Sequence, residues 1–337
     1  MSNFQYQKGW VQRLMGVGAL VLLGILARGC IWRPGTQHSG VYFNRGQNAV
    51  WLGADWSKDA HTASEVRALA DELARYQVQT VFVYVSYLKP GDRFNPTYDH
   101  AAEFVREFKA AKPDSTVEAW VGIPLDKPGI GARGYAHIDD SAVRAKIADL
   151  SQRLVNEMGF DGVHLDPEPI PSGDADTLQL LDDVRMAIGR DKILSLATRK
   201  IIPVWGDAPL PTVFGLWQAS YYRRVAERVD EMAVMTYDST MRSPWLYEQW
   251  VHFQVIGITR AVRGTDARLL FGVPTSEEET WTHRPSAENM LSGLRGIIAG
   301  LNDADAVPET VTGVAIYPYW ETDATKWVEY ERLWLGR

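Results

Sequence analysis

Short apolar runs alternate with longer amphipathic stretches along most of the chain. Eight of these runs, at 49–54, 80–85, 117–123, 162–165, 193–197, 232–235, 269–273 and 313–316, have the length and composition of buried strands. Between them, apolar residues recur at spacings of three and four, which predicts helices at 63–76, 100–111, 141–158, 174–188, 217–229, 247–262 and 286–299. Strands that alternate with helices predict βα units and a parallel sheet.

The number of predicted strands favours a closed barrel. Eight strands with intervening helices predict an α/β fold of the (β/α)8 TIM barrel type, which would occupy residues 48–337. A doubly wound open sheet is the alternative, but neither GxGxxG nor GxxxxGK follows an early strand, so the phosphate-binding loop typical of that fold is missing. In TIM barrels the catalytic residues lie at the carboxyl ends of the strands, which form one rim.

Ionisable residues occupy every second position where the fourth predicted strand ends. The segment 160–169 reads FDGVHLDPEP, and because side chains on a strand alternate between faces, His164, Asp166 and Glu168 should point the same way. Neighbouring carboxylates raise each other's pKa, and a raised pKa is what a general acid needs. Acidic residues after a strand also cap the following helix, as Asp174 or Asp176 could do here. The strict alternation favours a catalytic site.

Polar and aromatic residues follow most of the other predicted strands. They are Asp55 and Trp56 after the first strand, Ser86 and Tyr87 after the second, Arg199 after the fifth, Tyr237 and Asp238 after the sixth, and Tyr317, Tyr319, Trp320 and Glu321 after the eighth. In a barrel these residues would converge on the rim. Asp55, Ser86 and Arg199 could equally serve as caps or as hydrogen-bonding residues of loops.

Three segments resemble glycoside hydrolase family 18, the chitinases and endo-β-N-acetylglucosaminidases. Residues 161–168, DGVHLDPE, are similar to the family's DGxDxDxE signature on the fourth strand, and residues 235–238, MTYD, to its MxYD segment on the sixth. Residues 313–317, GVAIY, resemble the eighth strand, where the family usually has a tryptophan that floors the sugar site. The three segments have the order and positions that one barrel requires.

The resemblance implies a catalytic role for several residues. Glu168 would act as the acid and then as the base, and Asp166 would orient the substrate's own acetamido group, which is the nucleophile. Tyr237 would hydrogen-bond that group, and Asp238 would support the sugar or Asp166. Asp166 would also raise the pKa of Glu168 and keep it protonated for the first step. No cofactor is implied.

The chain departs from the family signature at two positions. His164 replaces the middle aspartate; a histidine could still hydrogen-bond Asp166, but its charge would respond to pH near neutrality. Tyr317 stands where the tryptophan is usual, with Trp320 close enough to substitute. The residues expected to bind substrate are Asp161, His164, Asp238, Asp55, Trp56, Tyr87, Arg199, Tyr317, Tyr319, Trp320 and Glu321.

Composition and charge narrow the range of partners. The chain has 337 residues, 46% hydrophobic and 23% charged, and its formal net charge of -7 offers no general attraction to nucleic acid. Cys30 is the single cysteine, which excludes an internal disulfide and a cysteine-based metal site. Thirteen tryptophans and fourteen tyrosines provide candidates for the aromatic platforms on which sugars stack. A glycan is the expected partner.

The amino terminus has the pattern of an export signal or a membrane anchor. Basic residues precede an uncharged run at 14–27, which is a positive n-region followed by an h-region of signal-peptide length. We expect residues 1–32 to be a signal peptide or membrane anchor and residues 33–47 to be a linker. The protein should therefore be exported to the cell envelope, either secreted or attached to the membrane through this segment.

Two other functions fit the same residues. His164, Asp166 and Glu168 have ligand chemistry suited to a divalent metal, so a metal-dependent phosphodiesterase is one alternative, although no second histidine-carboxylate cluster completes the ligand set. A barrel that binds carbohydrate without turnover is the other alternative, because fold does not fix function. The presence of Glu168 and the three family-like segments favour a glycoside hydrolase acting on a glycan, for example one with N-acetylated sugars.

Overall fold

The computed structural model describes residues 37–127, 134–202 and 216–337. In this part of the chain one sheet contains β1 (Asn48–Leu52), β2 (Val78–Lys89), β3 (Arg93–Phe94), β4 (Thr116–Pro124), β5 (Gly162–Glu168), β6 (Ile193–Thr198), β7 (Glu231–Val234), β8 (Arg268–Pro274) and β9 (Val311–Tyr317). The short β3 is an antiparallel partner of β2. The other eight strands are parallel, and β1 pairs with both β2 and β9, which closes the ring. The predicted TIM barrel is confirmed.

Helices surround the barrel, and side chains cap the start of several of them. They are α1 (Gly40–Phe43), α2 (Asp55–Lys58), α3 (Ala63–Arg75), α4 (Ala101–Ala111), α5 (Ser141–Asn156), α6 (Ala175–Ile188), α7 (Ala219–Ala226), α8 (Pro244–Ala261), α9 (Met290–Leu301) and α10 (Ala324–Tyr330). Thr62 and Glu65 form a capping box at the start of α3. Asp174 accepts a hydrogen bond from the backbone N–H of Thr177 at the start of α6, so its predicted capping role is confirmed.

Alternation along the strands separates two apolar layers. Side chains that point outwards pack against the helices in the larger hydrophobic cluster. A smaller cluster fills the barrel interior and consists of Ala49, Trp51, Phe82, Trp120, Ala233, Leu270 and Ala315. Two of its members, Trp51 and Trp120, bring indole N–H groups into the interior, where they need acceptors.

The register of β4 and β5 positions the two predicted catalytic carboxylates. Gly122 pairs with Asp166, and Pro124 pairs with Glu168, at the carboxyl ends of these strands. A Cβ atom on Gly122 would lie 3.1 Å from the Tyr84 hydroxyl. The glycine therefore leaves space beside Asp166 that a side chain would fill.

Three features differ from the sequence-based predictions. Strand β2 extends to Lys89 and turns back into β3, beyond the predicted end of the strand. The segment predicted as a linker contains α1, whose Phe43 is buried, so ordered packing begins before residue 48. Helix α10 follows β9, and its Trp327 stacks on Tyr76 with ring centroids 3.9 Å apart. Both helices are too short to show a periodic pattern in the sequence.

The predicted signal peptide or anchor lies outside the described residues and stays a prediction. Among the residues that the structure describes, no helix is both long enough and apolar enough to cross a membrane.

Candidate active site

A cavity of about 450 Å³, here called the main cavity, opens at the rim of the barrel. Its walls include Tyr87, Asp166, Glu168, Arg199, Tyr237, Asp238 and Tyr317, which the sequence predicted, and Trp51, Tyr84, Trp120 and Lys200, which it did not. The volume falls in the usual range for small-molecule sites, about 300–1,000 Å³. The structure therefore brings the three residues predicted to be catalytic, Glu168, Asp166 and Tyr237, into one site.

Asp166 is held in the main cavity by an indole. The Trp120 Nε1 atom donates a hydrogen bond to Asp166 Oδ2 at 3.0 Å, whereas Asp166 Oδ1 is buried without a hydrogen-bond partner among the described residues. Burial raises the pKa of Asp166 to about 7, repulsion from the Glu168 carboxylate adds to the rise, and the Trp120 hydrogen bond opposes it. Asp166 therefore presents a free acceptor oxygen and changes its charge near neutral pH.

Glu168 lies at the mouth of the main cavity, where 46% of its side chain is exposed. The Arg199 Nη1 atom lies 3.2 Å from Glu168 Oε1, so this predicted binding residue contacts the predicted acid directly. The backbone carbonyl of Glu168 accepts a hydrogen bond from Leu125 N at 2.6 Å, which ties the end of β5 to the loop after β4. The carboxylate is accessible while its backbone is fixed.

His164 lies in the barrel interior and bonds to neighbours other than Asp166. The Trp51 Nε1 atom donates to His164 Nε2 at 3.1 Å, so this nitrogen carries no proton, and His164 Nδ1 lies 2.7 Å from Ser195 Oγ. A neutral imidazole must then donate from Nδ1 to Ser195, which in turn donates to the Glu118 carboxylate. Burial lowers the pKa of His164 to about 3. Contrary to expectation, His164 therefore does not contact Asp166, and its pKa lies well below neutrality. His164 lines neither cavity, and its expected role in substrate binding stays a prediction.

Two buried glutamates lie in the barrel, one of which, Glu118, ends this chain of polar contacts. Glu118 on β4 is fully buried and Glu231 on β7 nearly so, and Arg268 Nη2 lies 3.5 Å from Glu231 Oε2. Burial and the nearby Glu231 charge raise the pKa of Glu118. Burial raises the pKa of Glu231 to about 7 against the effect of Arg268. The sequence analysis missed both residues, although an ionisable residue inside the apolar run 117–123 was a signal for Glu118.

Tyr237 and Tyr317 form a stacked pair in the wall of the main cavity. Their ring centroids are 5.1 Å apart with an interplanar angle of 10°, and Trp320 meets Tyr317 edge-on at 5.9 Å. Burial raises the pKa of both hydroxyls, so they stay protonated and can donate hydrogen bonds. Tyr317 occupies the position where the resemblance implied a tryptophan, with Trp320 beside it.

Asp238 follows Tyr237 in a left-handed backbone conformation with φ 55°. Its half-exposed carboxylate lies 4.0 Å from His283 Nδ1, which is itself 3.1 Å from the buried Glu288. His283 Nε2 lies 3.2 Å from the Ser276 carbonyl oxygen, so both ring nitrogens face acceptors. Burial lowers the pKa of His283, but the hydrogen bonds to Glu288 and Ser276 outweigh it and the pKa is raised. His283 therefore lies between the Asp238 carboxylate and the buried Glu288 carboxylate.

The metal site suggested by the sequence does not fit this geometry. Both imidazole nitrogens of His164 already form hydrogen bonds to Trp51 and Ser195, which leaves no lone pair for an ion. Within the described residues, the group with ligand spacing is instead Asp238, His283 and Glu288. The hydrogen bonds around His283 account for that group without a metal.

A second cavity of about 490 Å³ adjoins the first. Its walls are formed by Gly53, Ala54, Asp55, Tyr84, Trp120 and Trp320, of which Tyr84 and Trp120 also line the main cavity. Trp320 is 49% exposed, so its ring is available for stacking against a sugar. The predicted residues Asp55 and Trp320 therefore belong to an extension of the same cleft.

Asp161 lies at the opposite end of the barrel from the cleft. It precedes β5, where its carboxylate accepts hydrogen bonds from the Val117 backbone N–H at 2.9 Å and from Lys109 Nζ at 3.0 Å. The amino ends of parallel strands meet at the face away from the rim. The structure therefore places Asp161 away from the cleft, where its described contacts join neighbouring elements of the barrel, and its role in substrate binding stays a prediction.

Three further predicted binding residues line neither cavity. Trp56 stacks on His61 with ring centroids 4.3 Å apart, Tyr319 donates a hydrogen bond to Glu72 at 3.0 Å, and Glu321 accepts one from the Glu277 backbone N–H at 2.6 Å. They lie near the rim as predicted, but the packing turns their side chains towards neighbouring loops and helices.

Comparison with known proteins agrees with this architecture. No family model and no curated protein sequence matches the chain. A class V chitinase from Pseudomonas fluorescens superimposes with a TM-score of 0.58 at 14% sequence identity, covering 86% of this chain and 99% of that chain. The PgaB glycoside hydrolase domain from Bordetella bronchiseptica gives a TM-score of 0.58 at 12% identity, covering 85% and 98%.

A family 18 N-acetylglucosaminidase from Paenibacillus barengoltzii also matches, with a TM-score of 0.54 at 16% identity, covering 86% of this chain and 99% of that chain. At these identities the likeness establishes the fold alone. The chain is a TIM barrel similar to those of glycoside hydrolase family 18, as its sequence motifs indicated.

Proposed function

We propose that this protein is a glycoside hydrolase that cleaves a glycan containing N-acetylated sugars. One observation carries the proposal: Asp166 and Glu168 stand at the carboxyl end of one strand and line one cavity, and Asp166 is held by Trp120 with one carboxylate oxygen free. Solved structures of the same fold include chitinases and an N-acetylglucosaminidase, which supports this class of reaction.

Glu168 would supply the general acid and then the general base. Its protonated carboxyl gives a proton to the glycosidic oxygen as the bond to the anomeric carbon breaks, and the resulting carboxylate takes a proton from the attacking water. The exposed position of Glu168 supports this role because both the leaving sugar and the water can reach it. Arg199, at 3.2 Å, would keep the carboxylate oriented between the two steps.

The acetamido oxygen of the substrate would supply the nucleophile. It bonds to the anomeric carbon as the leaving group departs, and water then opens the ring and restores the acetamido group. The free Oδ1 of Asp166 can accept the acetamido N–H, which gains positive charge in this step, and the Tyr237 hydroxyl can donate to the same group. Without an acetamido group, another carboxylate of the cavity, such as Asp238, would have to supply the nucleophile or the base.

The charge of Asp166 sets the expected pH dependence. Its ionised form stabilises the developing positive charge better than its neutral form, and that form predominates above a pKa of about 7. The activity should therefore rise as the pH increases through about 7.

Export is the second part of the proposal. The basic residues followed by the uncharged run 14–27 support secretion or attachment to the membrane, where a cell-envelope glycan would be the accessible substrate. Fractionation of cells that express the chain, with and without residues 1–32, tests this; cytosolic recovery of the full-length chain would contradict it.

The test of the enzymatic proposal is hydrolysis of aryl glycosides and short glycans, with and without an N-acetyl group, by the purified wild-type chain and by Glu168→Gln. Removing the acid should lower kcat by a factor on the order of 10³. Glycan binding should persist, because the amide keeps the size of the carboxylate. The matched control is Glu278→Gln, an exposed glutamate of the loop after β8 that lines neither cavity, and it should behave like the wild type.

The other outcomes separate the alternatives. Unchanged turnover in Glu168→Gln contradicts the assignment of the acid. Binding of glycans without turnover by the wild type would indicate a carbohydrate-binding barrel. Activity lost on addition of a chelator would indicate a metal-dependent enzyme.

A further inference from the structure

Lys200 contributes a partly buried cation to the wall of the main cavity. Among the described residues its ammonium group forms neither a hydrogen bond nor an ion pair. Several other partly buried lysines have an acceptor: Lys109 meets Asp161, Lys112 meets Asp114, Lys127 meets Asp174 and Asp176, and Lys192 meets the carbonyl of Phe160. Lys200 differs from them because it lines the main cavity and has no such acceptor among the described residues.

Among the described residues that line the cavity, the other charged groups are three carboxylates and Arg199, which is already paired. Arg199 contacts Glu168 at 3.2 Å, and Asp238 lies 4.0 Å from His283. Asp166 accepts its hydrogen bond from Trp120 and is half protonated near pH 7. The charge of Asp238 still acts on Lys200 through space, but burial dominates and lowers the pKa of the lysine. Lys200 thus remains the cation of the described cavity wall that a ligand can engage.

An ammonium group that has lost part of its hydration and has no partner is costly to the protein. An anion from a ligand offsets this cost better than a neutral hydroxyl does, because charge-assisted hydrogen bonds are roughly twice as strong as neutral ones. The main cavity holds about 450 Å³, so a group that meets Lys200 belongs to a sugar next to the scissile bond.

We infer that Lys200 binds an anionic group, a carboxylate or a phosphate, on the sugar seated beside Glu168. This inference rests on the proposed function and specifies its substrate class: the preferred substrate is an acidic glycan with N-acetylated sugars. Lys200 is a specificity-determining residue in this scheme and takes no part in proton transfer.

The experiment compares three aryl N-acetylhexosaminides that differ in one substituent, which is neutral, a carboxylate or a phosphate. The wild type should have a higher kcat/KM for an anionic compound than for the neutral one, by about 10- to 100-fold. Lys200→Met should reduce the ratio of kcat/KM for the anionic compound to kcat/KM for the neutral compound by about the same factor. Lys200→Arg should retain most of the ratio, because it keeps the charge.

Lys58→Met is the matched control. Lys58 is an exposed lysine at the end of α2, on the same rim, and it lines neither cavity. The control removes the same charge from the same rim, and it should keep the wild-type preference in kcat/KM for the anionic compound over the neutral one. A ratio lowered equally by Lys58→Met and Lys200→Met would mean that the general field of the rim is responsible, which overturns the inference.

The preferred anion identifies the source of the charge: a higher kcat/KM for the carboxylated compound indicates an acidic sugar, and a higher value for the phosphorylated compound indicates a phosphorylated one. Both outcomes support the inference. Equal kcat/KM for the neutral and anionic compounds in the wild type overturns it, as does an equal loss for all three in Lys200→Met.

A binding measurement separates this inference from the proposed function. Trp51 and Trp120 line the main cavity, so their fluorescence should report binding of the three compounds to Glu168→Gln, in which no turnover is needed. Tighter binding of an anionic compound that is lost in Glu168→Gln/Lys200→Met supports the inference even if no compound is hydrolysed. Equal affinities for the neutral and anionic compounds overturn it even if all are hydrolysed.

Discussion

Trp120 donates its indole N–H to Asp166 at 3.0 Å, across the pairing of two neighbouring barrel strands. Trp120 itself is in register with His164, so the indole reaches along the barrel towards the rim to meet the carboxylate. Edge-to-face contacts with Tyr84 at 4.7 Å and with Tyr317 at 6.4 Å fix the ring. The Asp166 carboxylate is therefore held from the adjacent strand and not by the histidine on its own strand.

The first prediction concerns Trp120→Phe, which keeps most of the aromatic volume and removes the N–H. The Trp120 hydrogen bond lowers the pKa of Asp166, so its loss should raise that pKa above about 7. Because the ionised form exists above the pKa, the acid limb of the kcat/KM profile should move to higher pH. At pH 7 the activity should fall about tenfold.

The pH dependence of kcat/KM measures this effect. Trp281→Phe removes an indole that is 57% exposed and should leave the acid limb in place. An acid limb at the wild-type pH in Trp120→Phe would show that Asp166 is not the group that titrates.

The second prediction concerns the hydroxyl of Tyr237. Tyr237→Phe preserves the ring that stacks on Tyr317 at 5.1 Å but removes a buried donor of the main cavity. We expect kcat/KM to fall about 10- to 100-fold on an N-acetylated substrate and much less on an analogue without the acetamido group. Tyr42→Phe, at an exposed tyrosine, is the control. Equal losses on both substrates would rule out a specific contact with the acetamido group.

The third prediction follows from the buried, neutral His164. Its pKa is about 3 in the folded protein against an ordinary value of 6.5, so below pH 6.5 the unfolded chain binds a proton that the folded protein does not. The stability linked to this residue is complete above pH 6.5 and is lost as the pH falls towards 3. His164→Asn removes the titrating group and with it this dependence.

Urea unfolding of the wild type and of His164→Asn between pH 7.5 and pH 4.5 measures the difference. The variant should be less stable by about 2–4 kcal/mol at pH 7.5, because it leaves a cavity and weakens the bonds to Trp51 and Ser195. Below pH 6.5 the difference in the free energy of unfolding between wild type and variant should narrow by about 1.4 kcal/mol per pH unit. A constant difference in the free energy of unfolding would mean that His164 takes up its proton at the same pH in the folded protein as in the unfolded chain.

The fourth prediction is that Asp161 contributes to the stability of the barrel and not to its activity. Asp161→Asn weakens the bonds to the Val117 N–H and to Lys109, so the free energy of unfolding should fall by about 1 kcal/mol. Its kcat/KM should stay within about twofold of the wild-type value, because the residue lies at the far end of the barrel. Loss of activity in a variant with wild-type stability would support the predicted role of Asp161 in substrate binding.

Local patterns in the sequence predicted most of the architecture. The eight parallel strands follow from short continuous apolar runs, and the long helices follow from apolar residues spaced three and four apart, because buried strands and amphipathic helices impose these patterns on their own segments. The short helices α1 and α10 were missed because they contain too few turns to show a repeat. The placement of Asp166, Glu168, Tyr237 and Tyr317 in one cavity was predicted because parallel strands bring their carboxyl ends together.

What the sequence by itself determined was therefore the barrel, the strand that carries the two carboxylates and the kind of chemistry they suit. The tertiary structure alone decided the surroundings of each polar side chain: Asp166 bonds to Trp120, His164 lies between Trp51 and Ser195, and Lys200 lines the main cavity. These pairings depend on the register between strands and on the depth of burial, which sets each pKa. Neither is a local property of the chain, so spacing along the sequence could not predict them.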